Sequence, residues 1–181
     1  LPPWRYRTHA HVGLHTDGAL AGLGHPFDGR DHILAMVAVG FWASTLGGKA
    51  RRWIVPSAFV ALMAVGSVMG VYGLPLPMVE TAIALTVPVL GLLVALEVKV
   101  PTPVVATVVG ICALFHGHAH DTGLPAMARA GGYVAGFLTA TIALHAVGID
   151  LASFRFGKAR QGAMRIAGLA VALAGAALLA G

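Results

Sequence analysis

The chain has 181 residues, 57% of them hydrophobic and 10% charged, where a soluble domain of this size carries about 25% charged residues. With a mean hydropathy of +0.82 and recurring apolar runs of spanning length, its solvent is a lipid bilayer. The net charge of +5 does not mark a nucleic-acid binder, because the Lys and Arg fall in short loops rather than in one patch.

Residues 1–24 are polar and rich in Gly and His, and read as an outer loop or short surface segment. His9, His11 and His15 there form either a loose metal-collecting tail or a set of surface histidines. Residues 25–181 read as a single all-α transmembrane domain. Six spans are predicted, at 31–48, 53–73, 78–98, 103–119, 130–149 and 162–181, each near the ~20 residues that cross the hydrocarbon as a helix. The fourth is the shortest, ending at His116-Gly117, and Pro88 is expected to kink the third. The 24 Gly and 10 Pro suit membrane helices, where small residues permit close approach. Cys112, the only cysteine, rules out an intrachain disulfide and reads as a packing residue.

Loop charges set the orientation. Lys49, Arg51 and Arg52 follow the first span, Lys99 the third, and Arg155, Lys158 and Arg160 the fifth, whereas the alternate loops hold only Arg129. The first set is expected in the cytoplasm, which leaves both termini outside, in the periplasm of a Gram-negative host. The chain opens Leu1-Pro2-Pro3-Trp4-Arg5 without an initiator methionine, as either removal of a signal peptide or cutting of a fragment from a longer chain would leave it. Glu97 is expected to pair with Lys99 at the interface.

With this topology, ligand-type side chains gather on the outer side. His25, Asp31 and His32 lie at the outer end of the first span, Glu80 at that of the third, and His116, His118, His120 and Asp121 at that of the fourth. Ionisable groups at span ends are costly to place and are usually kept because they bind something. Imidazole with carboxylate is a ligand set for Ni, Co or Zn. Asp31 can be read as a helix N-cap, as a ligand, or as the partner that fixes a histidine tautomer. His116 and His120 share a face if the helix continues, with His118 pointing away. If the helix unwinds at Gly117, alternate residues converge instead. Glu80 reads as a third-element ligand or a proton carrier. The methionines, including Met63, read as packing residues, and His145 as an inner relay or a packing histidine.

The run His25-Pro-Phe-Asp-Gly-Arg-Asp31-His32 resembles the His-x5-Asp-His signature of the HupE/UreJ family, and Phe115-His116-Gly117-His118-Ala119-His120 resembles that family's second signature. The resemblance implies a membrane permease for nickel, sometimes cobalt, linked to hydrogenase or urease maturation. By position it implies metal handling by His25, Asp31, His32, His116 and His120. Asp121 and Gly123 stand where the family usually has Gly and then Glu. The expected activity is secondary transport of Ni2+ into the cytoplasm without a prosthetic group, and without ATP hydrolysis by this chain, which lacks a Walker motif. Two rivals use the same residues. An intramembrane zinc hydrolase would show turnover of lipid or peptide, and a bis-histidine haem protein would be coloured when purified.

Overall fold

A computed structural model describes residues 18–121, 127–153 and 160–180 of the chain. Among the described residues there is no strand, and the elements are helical throughout. They are α1 (Gly18–Gly24), a 3-10 turn (His25–Phe27), α2 (Arg30–Ser44), α3 (Lys49–Val71), α4 (Val79–Ala95), α5 (Thr102–Asp121), α6 (Met127–Ser153) and α7 (Arg160–Ala180). The protein is an integral membrane helical bundle. α3, α5, α6 and α7 contain segments long and apolar enough to cross a bilayer, while α4 is a shorter apolar helix of 17 residues. α2, at 15 residues, spans about 22 Å at 1.5 Å per residue, less than the ~30 Å hydrocarbon core. Large apolar side chains such as Val68, Leu85, Ile111, Ile142 and Leu173 point outward, exposed, as a lipid-facing surface requires.

All six predicted spans fall on helices, and backbone geometry explains where the ends move. α2 stops at Ser44 because Gly47 and Gly48 take left-handed φ values of 66° and 74°. α4 is trimmed by Met78 and Glu97, with φ of 56° and 50°, and it runs through Pro88 without a break. α5 continues past Gly117 to Asp121, so the unwinding considered for this segment does not occur. The loop expected before residue 25 is partly helix. α1 exists because it is packed on α6: Gly22 lies against the Tyr133 carbonyl and Gly136 against the Ala19 carbonyl. Residues 1–17, with His9, His11 and His15, lie outside the described residues.

The bundle is assembled at glycine crossings. α3 lies along α5 through Gly66 and Gly117, α2 crosses α6 through Gly40 and Gly148, and α4 meets α7 through Gly91 and Gly168. At each glycine a methyl would overlap the backbone of the facing helix. In lipid, helices associate through such close contact rather than through exclusion of water.

Polar pins close the ends. The Trp42 indole donates to the Val98 carbonyl at 3.1 Å, and Arg52 donates to the Ser153 hydroxyl at 3.4 Å. Glu97 accepts from Arg165 Nε at 2.9 Å and from Gln161 at 3.1 Å. The expected Glu97–Lys99 pair is thus replaced by one to α7, because the left-handed turn at Glu97 brings its carboxylate to the start of that helix. These contacts gather the C-terminal ends of α2, α4 and α6 with the N-terminal ends of α3 and α7. The first turn of α2, the last turn of α5 and the first turn of α4 lie at the opposite end.

Candidate metal site

The first turn of α2 builds the centre. Gly29 occupies the N-cap position with an extended backbone and no side-chain cap. Asp31 is therefore inside the helix rather than capping it, and its Oδ1 stands 3.2 Å from His32 Nδ1. Glycine at position 29 leaves room for this contact, and its φ of −110° imposes no conformational demand. A methyl would fall 2.7 Å from Asp31 Oδ1 and 3.1 Å from His32 Nδ1, in the space the ion pair uses.

His32 is 5% exposed and turns its second nitrogen to α5, where Nε2 lies 3.2 Å from His116 Nδ1. The two rings meet edge-on, with centroids 4.7 Å apart. The sequence expectation that a first-motif imidazole meets a histidine of the fourth span is met at hydrogen-bond distance. The carboxylate fixes the proton order, since an ionised carboxylate only accepts. His32 Nδ1–H donates to Asp31, and in the neutral ring, the form that can bind a cation, Nε2 is then bare. His116 Nδ1–H then donates to that lone pair, and His116 Nε2 is left as a bare acceptor. His116 is fully buried, and its Nε2 has no hydrogen-bond partner among the described residues. The chain Asp31–His32–His116 thus ends on an available lone pair, with the carboxylate raising the basicity of the imidazoles in front of it.

His25 completes the neighbourhood from the 3-10 turn. Its ring packs edge-on against Tyr133 at 5.7 Å and Phe137 at 6.0 Å. Phe137 also lies 6.4 Å from the His32 ring, so it stands beside both histidines. Burial first, and then the neighbouring His32, push the His25 imidazole below its ordinary pKa. The ring is therefore neutral at pH 7, the state that can bind a cation. The sequence reading gave no role to Tyr133 or Phe59, although Tyr133 and Phe137 stand at i and i+4 on α6 and so share a face.

The remaining predicted residues are placed differently. His118 is buried on another side of α5, where its Nε2–H donates to the Leu74 carbonyl at 2.7 Å. That bond fastens α5 to the turn between α3 and α4. Glu80 is exposed in the first turn of α4, at the same end of the bundle, and bonds to none of the described residues. His120 and Asp121 continue α5, but their side chains lie outside the described residues. Among the described residues no three His, Cys, Asp or Glu side chains stand together at metal-binding spacing. The resting arrangement is a hydrogen-bonded relay of two imidazoles and a carboxylate, with His25 held beside it by aromatic rings.

The description "HupE / UreJ protein" matches residues 5–178. The chain belongs to the HupE/UreJ family. It is 75% identical over 173 residues to a protein named Protein HupE from Rhizobium leguminosarum bv. viciae, covering 96% of this chain and 90% of that one. No solved structure matches. Family membership thus extends over both histidine motifs and every described helix.

Proposed function

We propose that this HupE/UreJ protein is a secondary permease that carries Ni2+, or Co2+, from the outside into the cytoplasm. The observation that carries the reading is the buried contact between His32 and His116, backed by Asp31. It joins the two family signatures into one acceptor of borderline-soft divalent ions inside an apolar bundle. A hydrated ion would be collected at the outer end by Glu80 and His120, with His118 holding α5 in place. It would then exchange its waters for His25, His32 and His116. On arrival, His32 Nε2 exchanges the hydrogen bond from His116 Nδ1–H for the ion, the proton staying on His116, and Asp31 keeps the His32 tautomer correct. The membrane potential supplies about 2.3 kcal/mol per charge per 100 mV, roughly twice that for a divalent ion, so no energised partner is required. The ion is cargo, and the use implied by the resemblance is supply to hydrogenase or urease maturation.

Purified protein in proteoliposomes should take up radioactive nickel in a saturable, potential-dependent manner, with cobalt competing more strongly than magnesium. Vesicles that accumulate no more nickel than protein-free ones would reject transport.

We further propose six crossings in the inner membrane, with α2 and α4 completing the four long helices and both termini in the periplasm. α2 fits a short crossing because most of its length, including Ala35, Met36, Val39 and Trp42, is shielded by other helices. The prediction concerns labelling in a Cys112→Ala background, where the native thiol is absent and uptake is expected to be unchanged. An impermeant thiol reagent added to intact cells should modify Thr122→Cys and spare Ala50→Cys. The opposite pattern would invert the protein and put the histidine relay at the exit.

Gly29→Ala tests the support of the relay. Its methyl displaces the Asp31 carboxylate from His32, and loss of such an outer partner typically costs about 10–100-fold in metal affinity. Nickel uptake should fall by that order while the protein inserts normally. Uptake equal to that of the unmodified protein would show that the Asp31–His32 contact is dispensable.

A further inference from the structure

His145 is 0% exposed, deep in α6, and neither ring nitrogen has a hydrogen-bond partner among the described residues. A neutral imidazole there leaves both a donor and a lone pair unsatisfied, a costly state that native structures rarely tolerate. Buried hydroxyls nearby are satisfied, Thr141 donating to the Phe137 carbonyl and Ser67 to the Gly117 carbonyl, and the buried His116 and His118 rings each use one nitrogen, whereas His145 uses neither.

The surroundings of His145 suit an ion rather than a packing role. One turn outward on the same face of α6 lies Thr141, whose hydroxyl faces the Met63 thioether at 3.9 Å. One turn inward of Met63 on α3 is Phe59, fully buried, whose ring meets His145 edge-on at 4.8 Å and also lies 6.2 Å from the His116 ring. The same ring therefore neighbours both His116 of the outer relay and His145. The depth follows from α2, where the backbone of His145 lies against Gly40. Gly40 is eight residues further along α2 than His32, about 12 Å deeper at 1.5 Å per residue.

We infer that His145 is a second, inner ligand for the transported divalent ion, one that receives it from His116 past Phe59, with the Met63 thioether and the Thr141 hydroxyl beside it. This rests on the transport reading above and adds a step to it. Imidazole with thioether favours late first-row ions over magnesium or calcium, so the inner position contributes selectivity as well as passage.

The test uses full-length protein in proteoliposomes, with Ni2+ and Cd2+ as probes. His145→Leu, which fills the volume without donors, should lower initial nickel uptake at least tenfold while equilibrium Ni2+ binding at the outer relay stays within twofold of wild type. His145→Cys, which substitutes a softer ligand, should raise cadmium uptake relative to nickel at least fivefold, a change a packing role would not produce. If His145→Leu fails to insert, His145→Cys alone decides. An unchanged cadmium-to-nickel ratio, or nickel uptake by His145→Leu within twofold of wild type, overturns the inner ligand and leaves the outer site standing. Wild-type vesicles that take up no nickel reject the transport reading itself and the inner ligand with it.

Discussion

His32→Ala is expected to abolish nickel uptake. His32 is the middle member of the relay, touching Asp31 with one nitrogen and His116 with the other. Its removal deletes a ligand and also strands the proton of His116 Nδ1 in a fully buried position. Losing an outer partner costs about 10–100-fold in affinity, so losing a direct ligand should exceed about 100-fold. The stranded donor costs about 1–3 kcal/mol of stability, too little on its own to unfold a domain with a typical ~5–15 kcal/mol. Uptake normalised to inserted protein should therefore collapse while the amount inserted stays near normal. Normal uptake by His32→Ala at low micromolar nickel would reduce the first signature to a structural contact.

The largest effect on stability is expected from Gly117→Val. Gly117 lies between His116 and His118 of the second signature, and its α-carbon faces the Met63 carbonyl and the Ser67 amide of α3. A branched side chain there would push α5 away from α3 along a close crossing of the bundle. Overpacking typically costs 1–3 kcal/mol, and here the obstacle is backbone that cannot rotate aside, so a loss of about 3 kcal/mol is expected. The melting temperature in detergent should drop sharply and uptake should be lost with it. Gly24→Ala, where an added methyl meets nothing within 4 Å, should melt as wild type does. Equal melting temperatures for the two variants would contradict the close crossing.

Much of this arrangement was legible from residue order, for identifiable reasons. Apolar runs of spanning length locate the helices of the bundle because lipid leaves the backbone no other way to satisfy its polar groups. The two histidine motifs fall at span ends that alternate topology brings to one side, which is why His32 and His116 could be expected to meet. Their partners were less visible. For Asp31 the sequence left cap, ligand and partner of a histidine open, because a carboxylate in a first turn is favoured on electrostatic grounds alone. Only the backbone shows Gly29 in that position and Asp31 turned to His32. The roles of His116 and His118 diverge because two residues on a helix are about 200° apart, but that rule settles nothing until the helix is known to pass Gly117. α1 was missed because its seven residues carry little helical signal of their own and are held by glycine contacts to α6, which sequence spacing does not reveal. Glu80 and the histidines share an end of the bundle, yet its exposure depends on how α4 is rotated, a property of packing against α7.

The claim that the two signatures form one ion-binding site is tested most directly by nickel K-edge X-ray absorption on protein loaded with a single equivalent of Ni2+. The account predicts at least two imidazole nitrogens at about 2.1 Å, near the distance of zinc–imidazole bonds, and a loss of imidazole scattering in both His32→Ala and His116→Ala. A coordination sphere of oxygen alone, or imidazole scattering unchanged by either substitution, would contradict it.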